Sequence, residues 1–376
     1  MRGWRLGRIA GIDVEIHFTW VIIFVLVLVS LSTAALPHVP ASLPSVVRWI
    51  GGLVATVLFF ASLLVHELSH SLMARREGIP VRRITLFIFG GVAQIASEPR
   101  SPGAELRIAV VGPLTSAVLG AVFIKLASLV PTTHGGLALL HSNLFYLGAF
   151  NLVIAAFNSL PAFPLDGGRI LRSLLWLWWK DLRRATGVAA GLGKVLGYGL
   201  AGVGLWEMVA RGEVAAGLWR VALGWLLAAV AEQEYQRASA MARLGGLRVA
   251  DFMSSPPITV PADMDLEQFA HAYEFMLRHG AYPVVSEGRV KGMLEREVLR
   301  ATPRHLWPVT TVAAVMQPLE APEMVIEADA PLDEVLSRLT DTGRSRLLVV
   351  NERGELVGII SHSDVLRALR SFRRLP

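Results

Sequence analysis

The sequence predicts a polytopic α-helical membrane domain with a small membrane-associated β element, followed by a soluble α/β module built as a tandem repeat. Three observations lead there. Before about Ala231 the chain runs in long apolar stretches separated by short basic clusters, and after it polar and apolar residues alternate at ordinary amphipathic spacing. Only 18% of residues are charged and 53% are hydrophobic, whereas a soluble globular protein is nearer roughly a quarter charged. The C-terminal part also repeats itself: Val249-Ala250-Asp251-Phe252-Met253 is matched by Val312-Ala313-Ala314-Val315-Met316.

Spanning segments are expected at about 15–36, 48–74, 105–130, 137–158, 187–210 and 214–231, each near the roughly 20 apolar residues that cross a bilayer. The first resembles a secretory signal, but its length and the spans behind it favour a retained helix. Arginines gather at Arg2, Arg5 and Arg8, at Arg75, Arg76, Arg82 and Arg83, and at Arg169, Arg172, Arg183 and Arg184, whereas the loop 131–136 has none. Positive charge marks the cytoplasmic side, so both termini are expected there, with His66 and His70 toward the cytoplasmic end of the second span.

Two stretches break the helical pattern. Val81 to Ile95 is short, β-branched and glycine-bearing, which predicts a strand pair or re-entrant hairpin. Leu160 to Arg169 is an apolar helix end interrupted by Pro161, Pro164, Gly167 and Gly168. Irregular backbone at membrane depth is tolerated where protein or a wet cavity surrounds it, so this break is expected to wall a site. In the soluble part, strands are expected at 281–285 and 346–350, with closing strands at 290–294 and 356–360. The predicted boundaries are a membrane domain over 1–235, a linker over 236–246, and repeat copies over 247–305 and 306–372.

The net charge of +6 does not indicate nucleic acid, because the basic residues sit at the ends of apolar segments without aromatic interleaving. With no cysteine in the chain, disulfides and cysteine metal sites are excluded.

His66-Glu67-Leu68-Ser69-His70 follows an uncharged run from Ile50 to Val65. Histidines four apart on a helix are offset by about 40° and about 6 Å along the axis, so both imidazoles reach one metal ion. Glu67, beside them, suits a general base acting on metal-activated water. A hydrolytic zinc site also needs a third protein ligand and an open position. Asp166 is the best candidate, being acidic in a Pro/Gly break where acidity is expensive; its alternative role is capping a helix over 167–179. Asn158, three residues before Pro161, can hold a carbonyl or a developing oxyanion, or else satisfy backbone freed by the proline. Asn151, on the same helix face, is expected to bond to a neighbouring helix.

His66 to His70, taken with Asn158-Ser159-Leu160-Pro161-Ala162-Phe163-Pro164-Leu165-Asp166-Gly167-Gly168, resembles the site-2 protease family of intramembrane zinc metalloproteases. The two motifs stand in the family's order, about ninety residues apart. Glu105 through Gly112-Pro113 resembles the start of the family's third span, with Ser116 where many members carry Asn. The resemblance implies one Zn2+ per chain on His66, His70 and Asp166, with Glu67 as catalytic base and Asn158 holding the scissile carbonyl. It also implies that the 87–95 stretch pairs with an unwound substrate, in keeping with a protease's need for an extended segment.

The repeat resembles a tandem pair of cystathionine-β-synthase (CBS) domains, found on a branch of this family. Such pairs often bind adenosine nucleotides (ATP, ADP or AMP) as regulators. Gly358-Ile359-Ile360-Ser361-His362-Ser363-Asp364 resembles the ribose-phosphate motif, which implies a nucleotide site of Gly358, Ser361 and Asp364, with Ser361 on phosphate and Asp364 on the ribose hydroxyls. The first copy has Gly292-Met293-Leu294-Glu295-Arg296-Glu297-Val298, lacking both the hydroxyl and the final acid, so one site is expected rather than two. Capping of the following helix is the alternative for Ser361 and Asp364. Together the resemblances imply a multi-pass protein of a prokaryotic-type cell membrane. Its expected partners are the lipid bilayer, a membrane-protein substrate, an adenosine nucleotide and a second copy through the CBS module. A CBS-gated transporter and a catalytically silent scaffold are the alternatives. Sparse charge in the spans counts against the first, and Glu67 against the second.

Overall fold

The computed structural model describes residues 3–34, 39, 40, 42–87, 90–95, 99, 101–133, 135–244, 246–273, 280–319 and 324–372. It divides into two units, Met1–Ala238 and Ser239–Pro376.

The first unit begins with β1 (Trp4–Ile9), β2 (Ile12–Ile16), α1 (Trp20–Thr33) and α2 (Ser45–Arg76). It continues with β3 (Val81–Phe87), β4 (Gly90–Ile95), α3 (Pro102–Ser128), α4 (Gly135–Asn158), α5 (Asp166–Trp179), α6 (Leu182–Ala210) and α7 (Val214–Leu244). Among the described residues, α2, α3, α4, α6 and α7 are long and apolar enough to cross a membrane. α1 is a sixth apolar helix of 14 residues; at about 1.5 Å each it extends about 21 Å, short of a roughly 30 Å hydrocarbon core. The shortening has a local cause. The expected first span begins inside β2, where Ile12-Asp13-Val14-Glu15-Ile16 alternates apolar and charged residues, the period of a strand with one buried face. Ile12, Val14 and Ile16 are indeed buried.

The strand pair expected over 81–95 is β3 with β4, antiparallel; Ile88 and Phe89 lie outside the described residues. The sequence does not announce that this pair belongs to a four-stranded sheet of order β1-β2-β3-β4, in which β2 and β3 run parallel. Ile12 and Ile84 from its buried face form a core with Ala74, Ile79, Val81 and Ile108, against which Leu64 and Leu68 pack. The sheet thereby lies against the final turns of α2 and the start of α3. α6 and α7 are tied by the ion pairs Lys194–Glu232, at 2.9 Å, and Glu207–Arg220. α7 extends to Leu244, so most of the 236–246 stretch, expected as a linker, is helix.

The second unit contains β5 (Val260–Pro261), α8 (Leu266–Ala272), β6 (Ala281–Ser286), β7 (Arg289–Glu295) and α9 (Arg296–Ala301). Next come α10 (Val312–Val315), β8 (Gln317–Pro318), β9 (Val325–Glu327), α11 (Leu332–Thr342), β10 (Arg346–Val350), β11 (Leu356–Ser361) and α12 (His362–Phe372). The copies exchange their opening segments. Val249 and Ala250 donate backbone bonds to Ala330 and Ala328 of the second copy, while Val312 and Ala313 donate to Met264 and Ala262 of the first. Val249 is accordingly buried in one core with Ile326, Leu332 and Leu347, and Val312 in the other with Val260, Leu266 and Tyr282. β8 likewise pairs with β7. The sequence repeat and the packed cores are therefore cut at different places: contiguous boundaries follow the repeat, while each core borrows a segment from the other copy.

Candidate metal centre

α2 presents His66 and His70 from its last three turns, both buried. Asp166 is the first residue of α5, whose N-cap is Leu165 with no side-chain capping bond. Its carboxylate instead faces the histidines. Asp166 Oδ2 lies 3.3 Å from His66 Nε2 and 3.2 Å from His70 Nε2, and the two Nε2 atoms are 3.3 Å apart. Zinc–nitrogen bonds of about 2.0–2.1 Å in tetrahedral geometry place neighbouring donors about 3.3 Å apart. The triangle has that edge length, and two imidazoles with one carboxylate is a donor set of hydrolytic zinc sites. The residues present fit the ion.

The tautomer of one imidazole follows from its neighbour. His70 Nδ1 lies 2.6 Å from the Ile108 carbonyl oxygen, which can only accept. Nδ1 therefore carries the proton, and Nε2 turns a lone pair toward the triangle. His66 Nδ1 is 2.9 Å from Ser116 Oγ, so Ser116 contacts the site.

α3 serves as the backing plate. Ser101 caps it, accepting from Ala104 N. Glu105, Ile108, Gly112 and Ser116 are all buried and lie at helical spacing on one face. A Cβ at Gly112 would stand 2.0 Å from His70 Nε2 and 2.9 Å from His66 Cε1, so only glycine lets α3 approach the imidazoles. Glu105 Oε1 accepts from Arg172 Nε at 2.7 Å and from its second nitrogen, joining α3 to α5, the helix that carries Asp166. The Arg172 guanidinium also sits 5.2 Å from the centre of the Phe163 ring. The paired glycines after Asp166 are needed for close approach: a Cβ on Gly167 would lie 2.2 Å from Leu160 O, and one on Gly168 2.5 Å from Ala162 C. The break at 159–165 folds back onto the start of α5 and holds Asp166 in place.

Glu67 is half-buried on α2. A Cβ on Gly91 of β4 would come within 2.4 Å of Glu67 Cγ, so the strand backbone runs beside this carboxylate. Arg75, an alternative partner for Glu67, donates instead to the Ala10 carbonyl. Asn158 is half-buried at the end of α4, and its side chain makes no hydrogen bond among the described residues. Asn151 was expected to bond across helices; its Nδ2 donates to Leu147 O at 2.8 Å within α4, because the carbonyl one turn back is the nearest acceptor to a buried amide.

In the second unit, Ser361 donates to Asp364 Oδ2 from both its backbone nitrogen, at 2.9 Å, and its hydroxyl, at 2.6 Å. Arg367 pairs with the other carboxylate oxygen at 3.1 Å. Gly358 is packed beneath Met253: an added Cβ would meet Sδ at 2.6 Å. An open cleft of about 580 Å3 is lined by Glu295, Gln317, Pro318 and the stretch Thr342 to Ser345. Glu295 is the position that matches Ser361.

A multi-pass helical domain with two buried histidines, a half-buried aspartate closing the triangle and a neighbouring glutamate defines the class of membrane metallopeptidases, and the comparisons with known proteins agree. The model of peptidase family M50 matches residues 54–139 and 136–196, and that of the CBS domain matches 249–302 and 312–371. Rip3 of Mycobacterium tuberculosis is 37% identical over 98% of this chain and 93% of its own. A zinc metalloprotease of Methanocaldococcus jannaschii is 31% identical over 97% of this chain and 95% of its own. The solved site-2 protease from Methanocaldococcus jannaschii is 30% identical, with a TM-score of 0.41, and covers 62% of this chain and 95% of that one. The chain belongs to peptidase family M50, the site-2 protease type of zinc metalloprotease, and carries a pair of CBS domains.

Proposed function

We propose that this protein hydrolyses peptide bonds within or beside a transmembrane segment of a membrane-protein substrate. The observation that carries this is the convergence of His66, His70 and Asp166 within 3.3 Å of one another, next to Glu67 on a helix apolar enough to span a membrane.

His66, His70 and Asp166 would hold zinc, which when bound would supply Lewis-acid chemistry, making water more acidic and polarising a carbonyl. Glu67 takes the proton of the attacking water and returns it to the leaving amine nitrogen. Ser116 and the Ile108 carbonyl fix the two imidazoles. Asn158 donates from its amide to the carbonyl oxygen as negative charge develops there. β4, at the end of the sheet order, offers an edge on which an unwound substrate strand can pair, and the closeness of Gly91 to Glu67 supports that path. The arginine clusters support cytoplasmic termini in a prokaryotic-type cell membrane.

Zinc analysis of the purified chain tests the metal set, which requires near one ion per chain. A Glu67→Ala variant used as a substrate trap in membranes then identifies what is cut. If that variant keeps fold and zinc and still cleaves the captured substrate, the mechanism is wrong.

Regulation by an adenosine nucleotide on the CBS pair rests on the Gly358, Ser361 and Asp364 motif. Ser361 and Asp364 bond to each other, so a nucleotide must exchange those bonds for its own. Titration with ATP and AMP decides it: absence of binding, with cleavage unchanged, removes this part of the proposal. A second copy joined through the CBS module is tested by the mass of the purified assembly.

A further inference from the structure

We infer that the N-terminal hairpin, β1 with β2, is an interfacial membrane anchor that lays Trp4, Leu6 and Ile9 into the headgroup and acyl boundary of the bilayer. Residues directly opposed in an antiparallel pair project to the same face. The register pairs Trp4 with Ile16 and Ile9 with Ile12, with an irregularity between Arg5 and Gly7 that leaves Leu6 unpaired. Ile12 and Ile16 are buried, yet Trp4 and Ile9 on the same face are 66% and 41% exposed, and Leu6 is 62% exposed. The apolar face of the sheet is therefore covered under β2 and β3 and continues uncovered under β1. The opposite face is charged: Arg5 and Arg8 both contact Asp13, and Arg83 pairs with Glu15. An element with one charged and one apolar face lies flat in an interface.

Chain connectivity sets its depth. Trp4 is opposite Ile16, and α1 starts at Trp20, only four residues later. At about 3.4 Å per residue, Ile16 stands within about 14 Å of the start of the apolar helix α1, and Trp4, one cross-strand step of about 5 Å away, within about 19 Å of it. Phe18, between Ile16 and α1, is 63% exposed, and Trp4 is of the residue type that sits at membrane–water interfaces. The other end of the hairpin is fastened to the last turn of α2, where Arg75 donates to the Ala10 carbonyl. With this apolar face exposed close to the start of the apolar helix α1, the occupant we assign to it is lipid. Because β2 pairs with β3 and β3 with β4, the anchor also sets the depth of the strand beside Glu67.

The chain has no cysteine, so a single introduced thiol can be labelled without background. Trp4→Cys, Ile9→Cys and Arg5→Cys variants of the full chain would each carry an environment-sensitive fluorophore, in vesicles of phosphatidylcholine and phosphatidylglycerol. Nitroxides on shallow acyl positions should quench labels at positions 4 and 9 roughly threefold more than at position 5, as an interface-parallel strand requires. Equal quenching at the three positions, or stronger quenching of 4 and 9 by an aqueous quencher, overturns the inference. Shielding of position 4 that grows with the protein-to-lipid ratio also overturns it, since a second copy would then be the cover. The Ile9 variant keeps the test valid if replacing Trp4 disturbs the hairpin, and zinc content checks that each variant is folded.

Discussion

Asp166 and Asp364 each stand in the first turn of a helix, on the C-terminal side of an apolar stretch. Either could serve its helix, since carboxylates near a helix start are favoured by the exposed amides and the macrodipole. Asp364 does so: it accepts twice from Ser361 and pairs with Arg367, reaching back to the residue before the helix as in one half of a capping box. Asp166 does not. Its helix has no side-chain cap, and its Oδ2 faces two imidazole nitrogens brought by another helix. The difference shows that an acid at a helix start declares its role by its partners. One whose oxygens are engaged within its own turn serves that helix and must exchange those bonds to meet a ligand, whereas one turned away from an uncapped helix has no such bonds to give up.

The largest effect expected bears on Glu67, the proposed proton carrier. Glu67→Gln keeps shape and removes the base, so cleavage of a reconstituted substrate should fall by about 10²–10⁴-fold with zinc still near one per chain. Retained cleavage would transfer the base role elsewhere. Asp166→Asn and Asp364→Asn then break the comparison directly, because Asn caps about as well as Asp. The first should strip zinc, measured by elemental analysis after dialysis against a weak chelator, and the second should leave it bound. If both retain zinc, Asp166 is only a helix-start residue.

Smaller effects are expected from the supports. Ser116→Ala removes the partner of His66 Nδ1, and outer-shell partners of metal ligands are worth about 10–100-fold in affinity or activity. Competition with a chromophoric chelator measures this loss. Gly112→Ala should weaken zinc at least as much, since the new methyl would overlap His70 Nε2.

The histidine pair, the acid in the broken helix and the β3–β4 pair were legible because each breaks a local pattern: paired imidazoles in an apolar run, an acid among prolines and glycines, β-branched residues between helices. The contacts of α3 were less so. Glu105, Ile108, Gly112 and Ser116 share a face, and that spacing is present in the sequence, but which helix they meet is a tertiary fact. The β1–β2 hairpin was hidden by its own composition. Ile12 to Ile16 alternates cleanly, yet it abuts the apolar run of α1 and reads as part of it, while Arg5 and Arg8 read as a basic flank. The exchange of opening segments in the CBS pair leaves no trace in a linear repeat, because both copies keep the same order of elements whichever core they enter.

Asp364→Ala should give the smallest effect and bears on the other half of the comparison. If Asp364 acts by capping, its removal should cost about 1 kcal/mol of local stability, and amides of the first turns of α12 should exchange with deuterium about fivefold faster in the full chain. Zinc content and cleavage should not change, because among the described residues the carboxylate engages Ser361 and Arg367 alone. Asp364→Asn, which retains an acceptor for Ser361 N, should fall between. Unaltered exchange in the Ala variant would mean that the Ser361 bonds contribute nothing to the helix. The carboxylate would then be held in place for a ligand, as Asp166 is, and the distinction between the two acids would fail.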